Sequence, residues 1–501
     1  MKNQFIMSTY KKLPVLRTAV AATIGIALLV QTSCKKSFLD VPPQGQQPSQ
    51  EFWKTGDDAR RAVNAMYANL RSWEMVAFAA MAVESMGSDE VEKGSSPGDA
   101  TFMNNYDNFT HTSTEGQLDG FWVGQYRSIN LANQIIDNIP SIEMDATLKA
   151  RYIAEAKFIR AFNYFRLVRA FGGVPLRLSL PKDPSEYNIP RASREQVYAA
   201  IEQDLNDAAS VLPQSYGPAD VGSATKGAAL ALHAKVAMYQ KKWADVLAKT
   251  NQVMGMGYSL FPNFEAQFRI PNENNQESIF EIQAQKLPSI PGASNSQYSQ
   301  VQGVRGINWG GWGFHVPTQE LANAFEPGDP RRDATIIFRG ETTPQGDVIP
   351  PIGDNPMYNQ KSYVPSSYWQ NGITEGADQN IRVIRYAEVL LMNAEAANEL
   401  NNPTQAKLSL NAVRARARGG NPNILPDVTT NDQAQLRNAI WHERRVELAM
   451  EFDRFFDVIR QGRGPQVFGP KGFVAGKHEV MPIPQNQIDL SAGVLTQNPG
   501  Y

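Results

Sequence analysis

The stretch that most constrains the fold is Lys149 to Leu176, KARYIAEAKFIRAFNYFRLVRAFGGVPL. Phe158, Phe162, Phe165 and Val168 recur at steps of four, three and three, which places them on one stripe of a helix. Gly172-Gly173 and then Pro175 stop that helix. Aromatics at this density do not tolerate water, so other helices must cover the stripe. The chain therefore needs a multi-helix core, and 501 residues suffice to build one.

The same period recurs along the chain. Thr55 caps a helix with Asp58 in the capping-box position, and Ala59, Ala62, Met66, Leu70 and Trp73 share its inner face. Helicity returns from Phe121 to Asn138. Ser193 and Gln196 open another helix, striped by Val197, Ile201, Leu205, Ala208 and Leu212. Two tight helix pairs follow: Thr225–Tyr239 with Trp243–Met254, and Ile381–Leu400 with Gln405–Ala417. Asn402-Pro403 provides an N-cap and a first-turn proline for the latter. A last helix, Ala434 to Arg460, contains ERRVELAMEFDRFFDVIR. Helix–turn–helix units of about 34 residues stack as tetratricopeptide-like pairs, and three or four are expected here. The predicted class is mostly α: a helix-pair core with long irregular insertions and few short strands. Helices fall within 55–73, 121–138, 149–171, 193–212, 225–256, 381–417 and 434–460 of a single domain, 55–501. The largest insertion, 258–379, is rich in Gly, Pro, Asn and Ser, with Ser278–Gln283 as a candidate strand.

The front end reads as an export signal over residues 1–33. Lys2, Lys11, Lys12 and Arg17 precede the uncharged run Ala19–Val30, which is too short to span a bilayer. Cys34, the sole cysteine, follows at once. A disulfide-stapled fold is excluded, and the position is that of a bacterial lipoprotein's acyl-acceptor. Acyl chains contribute about 0.8 kcal/mol per buried methylene, enough to hold a protein on a membrane without a spanning helix. Residues 34–54 read as a polar tether.

Several chemistries fail on spacing. A net charge of −2 gives no nucleic-acid footprint. Gly94-Ser95-Ser96-Pro97-Gly98 matches a nucleophile elbow but has polar loop on both sides, where a strand and a helix are required. His442-Glu443 begins as a zinc-protease motif would, yet Val446 stands where the second histidine belongs. The five histidines are scattered, so no metal site is predicted. A glycosidase needs two carboxylates across a sugar, and sequence alone leaves that open. The acids that can be placed have structural roles. Glu451 with Arg454 and Asp457 with Arg460 sit at i, i+3, while Glu388 and Glu395 need arginines such as Arg414 or Arg444.

The loops carry aromatics beside glycines and amides: Asn308-Trp309-Gly310-Gly311-Trp312-Gly313-Phe314, Tyr106, Tyr358, Tyr363, Tyr368, Trp369, and Trp73 at a helix end. Two readings are open. Either these rings plug the loops onto the core, or they form flat platforms on which sugar rings stack while nearby amides pair with hydroxyls. Trp309 and Trp312, in a glycine run, have little local core to fill and favour the second.

In chain order, FLDVPP after Cys34, KFIRAFNYF, RYAEVLLMNAEA, ERRVELAMEFDRFFDVIR, PIPQNQI and QNPGY resemble the SusD/RagB family of outer-membrane nutrient-binding lipoproteins. The resemblance implies a tetratricopeptide-like core decorated by loops, without catalysis and without a cofactor. It implies an oligosaccharide site on the segments Asp89–Phe109 and Gly303–Phe314, with Trp309, Trp312, Tyr106, Asn104, Asp89 and Trp73 as candidate contacts. It also implies a lipid-anchored protein on the outer membrane, surface-exposed, partnered by a SusC-like TonB-dependent β-barrel transporter. Two alternatives stay open: a peptide ligand on the same scaffold, or a lipid-anchored glycoside hydrolase.

Overall fold

Thr55 does cap the first helix, α1 (Gly56–Asn69), in a complete capping box with Asp58. The computed structural model describes residues 52–285, 296–306, 310–369 and 376–501. Two units separate, Met1–Lys54 and Thr55–Tyr501, and the second carries the fold. The predicted acyl-acceptor Cys34 and the candidate Trp309 lie outside the described residues. No helix among the described residues is long and apolar enough to cross a membrane.

After α1 come α2 (Phe78–Glu84), β1 (Val91–Gly94), α3 (Gly116–Asn138) and α4 (Ala146–Phe171). Next are α5 (Arg194–Val211), α6 (Lys226–Tyr239) and α7 (Trp243–Met254). The mid-chain insertion holds β2 (Ser278–Ile282), β3 (Phe314–Pro317), β4 (Ile336–Phe338) and β5 (Met357–Asn359). The chain finishes with β6 (Ile381–Arg385), α8 (Tyr386–Glu399), α9 (Pro403–Ala417), α10 (Gln433–Glu447), α11 (Arg454–Arg460) and α12 (Gln485–Leu490). The strands form three antiparallel two-stranded ribbons, β1–β3, β2–β6 and β4–β5.

The helices from α3 to α9 form one row in which each packs on the next, and α7 meets α8 although the insertion separates them in sequence. Stacked hairpins bury a continuous core in this way because no single pair can cover its own apolar face. Between α8, α9 and α10 the contact is made by Ala387, Leu391, Ala394, Leu410, Val413 and Ile440. The small residues let the helix axes approach closely.

Helix α4 is second in the row and almost wholly enclosed along its C-terminal half. Its predicted stripe, Phe158, Phe162, Phe165 and Val168, is buried, and from Ala154 to Phe171 only Lys157 is not. Its polar side is therefore inside as well. Arg166 donates to Glu84 at 2.6 Å, and Arg169 reaches Glu84 at 3.3 Å and Asp453 at 3.1 Å. Lys235 of α6 joins Asp453 (2.6 Å) to Glu388 of α8 (3.0 Å), and Arg444 of α10 joins Glu388 (2.8 Å) to Asp457 (2.6 Å). A second buried cluster centres on Glu447, which accepts from Arg331 (3.0 Å), Arg385 (3.0 Å) and Arg416. Burial pushes the Glu447 carboxyl up; Arg416, Arg385, Arg331 and Lys361 together outweigh that and hold it at about 2. Buried ion pairs add little over apolar packing, but a misplaced one is costly, so these clusters select one helix register.

Two element predictions are corrected. Residues 381–385 are a strand rather than the start of a helix: Ile381, Val383 and Ile384 are β-branched, and the segment hydrogen-bonds to β2. The single helix expected over 434–460 breaks between Glu447 and Arg454, where Met450 (φ 66°) and Phe452 (φ 70°) adopt left-handed backbone. The break lets the Phe452 ring stack on His315 at 4.9 Å and sends Asp453 to Lys235. It also separates the expected Glu451–Arg454 pair: Glu451 binds Arg385 and Lys361, and Arg454 binds Asp89. Asp457–Arg460 and Glu388–Arg444 pair as the spacing suggests, whereas Glu395 takes Arg460 and Arg414 takes Glu443 and Glu326.

Candidate functional site

The ribbon β1–β3 brings together the two loop segments that the resemblance singles out. Val91 pairs with Pro317, Glu92 with Val316 and Gly94 with Phe314. Gly94 has φ +68°, and a Cβ there would lie 2.4 Å from the Gly313 carbonyl oxygen, so the turn off this strand requires glycine. The strand that enters β3 is fixed in turn to the helical turn Tyr298–Gln302. Trp312 N donates to Gln300 O at 2.9 Å, and Gly313 N to Gly303 O at 2.9 Å. A Cβ on Gly311 would meet the Gly303 carbonyl carbon at 2.3 Å and Val304 O at 2.4 Å. Bare backbone on both sides is what allows this contact, and it sets where Trp312 projects.

The Trp312 ring lies 6.0 Å from Trp73 and 6.4 Å from Phe78, centroid to centroid. Phe78 in turn meets Trp73 at 5.3 Å, Phe102 at 6.0 Å and the buried Phe314 at 4.8 Å, in edge-on arrangements. Trp73, Phe78, Phe102 and Trp312 are all half-buried, so each is held by the core and presents part of its ring outward. Neither indole N–H makes a hydrogen bond among the described residues. The result is a four-ring patch, anchored on Phe314, at the junction of α2 and the β1–β3 ribbon.

Its polar rim is charge-compensated. Arg305 donates to Ser95 Oγ at 2.8 Å and to Asp99 at 2.9 Å. The Ser95 hydroxyl first, and the Arg305 guanidinium with it, holds the Asp99 carboxyl below its ordinary range. Lys93 Nζ is capped by the carbonyls of Gly94, Ser96 and Asp99, all within 2.9 Å. Ser96 donates to Asp354, and Asn355 Nδ2 to Gly313 O at 2.9 Å. The loop expected on both sides of GSSPG is corrected on one: strand β1 leads into it, but turns rather than a helix follow, and the two serine hydroxyls are engaged by Asp99 and Asp354. Glu443, from the rejected zinc motif, is enclosed by Arg331 and Arg414.

The predicted contacts divide. Trp73 and Trp312 come together in the patch, although Trp73 was placed on a helix end far away in sequence. Asn104 is half-buried and its side chain makes no hydrogen bond among the described residues, which leaves it available. Tyr106 is corrected: the short helix Met103–Asp107 turns it fully inside, stacked on His111 at 5.3 Å, with no face for a ligand. Asp89 is corrected likewise. It is buried, receives two 2.8 Å hydrogen bonds from Arg454 and is paired with Arg445 at 2.8 Å. Burial raises its carboxyl, but Arg454 and Arg445 outweigh that and hold it at about 2. Tyr358 and Tyr363 plug the insertion onto its own small core with Val304, Val316, Ile337 and Ile349. Trp369 is half-buried and donates to Val364 O at 2.9 Å.

Phe78, Phe102 and Arg305 were not foreseen individually. Phe102 lies inside the mapped segment, four residues before Tyr106, where helical spacing would put both rings on one face; only packing against Phe78 sets it apart. Phe78 sits in an alanine-rich run with no loop signal, and only its contacts reveal it.

Comparison with known proteins gives a consistent picture. A family model described as the SusD family matches residues 276–501, and one described as starch-binding associating with outer membrane matches 37–238. The chain is 30% identical to SusD-like protein P2 of Formosa agariphila, over 96% of this chain and 99% of that one. A solved laminarin-binding SusD-like protein superposes with TM-score 0.77 at 30% identity, covering 89% of this chain and all of the other. A SusD-like protein from Bacteroides fragilis follows, with TM-score 0.75, 27% identity and coverage of 91% and 99%.

Proposed function

The chain belongs to the SusD family, and from that premise we propose that it is a non-catalytic glycan-binding protein of the outer membrane, with the Trp73–Trp312 patch as its binding platform. The observation that carries this reading is the pair of half-buried indoles 6.0 Å apart, neither of whose N–H groups has a hydrogen-bond partner among the described residues. A pyranose presents an apolar C–H face that stacks on such a ring and hydroxyls that pair with N–H and amide groups at its edge. Phe78 and Phe102 extend the surface. Asn104, and Trp309 from the same glycine run as Trp312, supply further contacts. At the rim the two cations Arg305 and Lys93 are balanced by the two carboxylates Asp99 and Asp354, which suits a neutral glycan. The rim carboxylates are engaged by serine and arginine, an arrangement that supports binding without the acid/base pair of a glycosidase.

The laminarin-binding relative makes β-glucan the first ligand to test, and the starch-binding family description makes α-glucan the second. Acylation at Cys34 anchors the mature protein, surface-exposed, and a SusC-like TonB-dependent transporter receives the captured glycan. The test is calorimetric titration with laminarin and soluble starch, wild type against W73A/W312A. One of the two glycans is expected to bind, with an affinity loss of about tenfold or more in the variant and no release of reducing ends. Unchanged affinity in the double variant refutes the platform. Recovery of a β-barrel partner from gently solubilised outer membrane tests the transporter arm.

A further inference from the structure

We propose that a groove along α3 is a second carbohydrate subsite, separate from the aromatic platform. Trp122, Tyr126 and Asn130 follow one another at four-residue steps, so they share one face of α3 and form the floor. The loop Pro175–Ile189 makes one wall, and α12 with Leu490 makes the other. The groove is open to solvent along one side and has a volume of about 360 Å³, within the roughly 300–1,000 Å³ of small-molecule sites.

The groove is preformed. Tyr126 Oη donates to Pro175 O at 2.7 Å, Asn133 Nδ2 to Arg177 O at 3.0 Å, and Leu180 N to Asp137 at 2.7 Å. The Arg177 guanidinium then spans the loop to the carbonyls of Glu186 and Tyr187. This irregular loop is thereby fastened to the helix row before any ligand arrives, which lowers the ordering cost of binding.

What the groove leaves unmet identifies its occupant. Trp122 is only 4% exposed, yet its indole N–H has no partner among the described residues. The exposed Asn130 and Asn188 amides and Ser179 hydroxyl likewise have no protein partner there. The Trp122 N–H is not sealed from solvent, so it opens to the groove, where ligand oxygens can replace the water on all four groups. Above them the Tyr187 ring is 57% exposed, a high value for so large an apolar surface. An open ring over free donors and acceptors matches a sugar, with its C–H face and vicinal hydroxyls. No strand lines the groove, so an extended peptide would find no backbone edge to pair with.

The experiment titrates the mature chain with laminarihexaose and maltohexaose. Variants are W73A/W312A, Y187A/N130A and the fourfold combination; Tyr187 and Asn130 are exposed, so their thermal melts should match the parent proteins. Retention of one binding event in W73A/W312A, weakened about tenfold or more in the fourfold variant, is the expected result. Absence of any binding by W73A/W312A to either sugar overturns the proposal. So does equal affinity of W73A/W312A and the fourfold variant. Loss of the transporter from membrane pull-downs by Y187A/N130A with sugar binding intact also overturns it, and reassigns the groove to protein docking.

Discussion

Replacing Glu447 by Gln keeps the shape of the side chain and removes the charge that Arg331, Arg385 and Arg416 surround. One pKa unit corresponds to about 1.4 kcal/mol, so holding this carboxyl at about 2 against an ordinary 4.5 contributes about 3 kcal/mol at neutral pH. That agrees with the roughly 3–5 kcal/mol lost when one partner of a buried pair is removed. With about 2.1 cal/mol/K of unfolding entropy per residue over a unit of about 450 residues, the melting temperature should fall by about 3 °C at pH 7. The sign of the pH dependence follows from the lowered folded-state value. The contribution is complete well above 4.5, declines as pH falls below it, and vanishes below about 2. The gap between wild type and E447Q should therefore shrink by just under about 1 kcal/mol between pH 7 and pH 4. Calorimetric melts at the two pH values measure both quantities. A gap that is absent at pH 7, or that widens on acidification, would refute the view that Glu447 is held ionised by its three arginines.

Three other outcomes are expected. Asp89→Asn should lower the melting temperature, since breaking its pair with Arg454 costs about 3 kcal/mol, yet it and Tyr106→Phe should leave glycan affinity unchanged in titrations; a selective affinity loss would return these residues to the binding surface. Gly311→Ala places a methyl 2.3 Å from the Gly303 carbonyl carbon, so it should shift Trp312, alter tryptophan emission and weaken glycan binding, whereas Gly98→Ala, with open space around it, should do neither. Cys34→Ala should move the protein from the membrane fraction to the soluble one on cell fractionation, and continued membrane association would rule out acyl anchoring at that residue.

The helical row was legible because its signals are local. Capping boxes at Thr55 and Ser193, proline after Asn402 and the aromatic period of α4 each act within one or two turns. The errors arose where distant partners decide. Nothing near Ile381 announces that Ser278–Ile282 will pair with it, and nothing in ERRVELAMEFDRFF announces that Asp453 must meet Lys235. The site shows the same division. Trp312 stood out through its glycines, but its neighbours Trp73 and Phe78 join it only through tertiary packing. Asp89 entered as a candidate contact through the resemblance alone, and the arginines that engage it lie more than three hundred residues further on.

Helices α7 and α8 touch as though nothing lay between them, while the chain that joins them wanders out to build β3 and present Trp312. The detour begins and ends at neighbouring points, yet it sends Arg331 and Lys361 back to Glu447 and Glu451, so only its outer loops can vary without disturbing how the row closes. Chemical taste and mechanical soundness thus share one excursion and differ only in which of its residues serve them. A lineage could re-aim the ring it presents while keeping those two cations, and a protein engineer grafting a foreign excursion would have to carry them across.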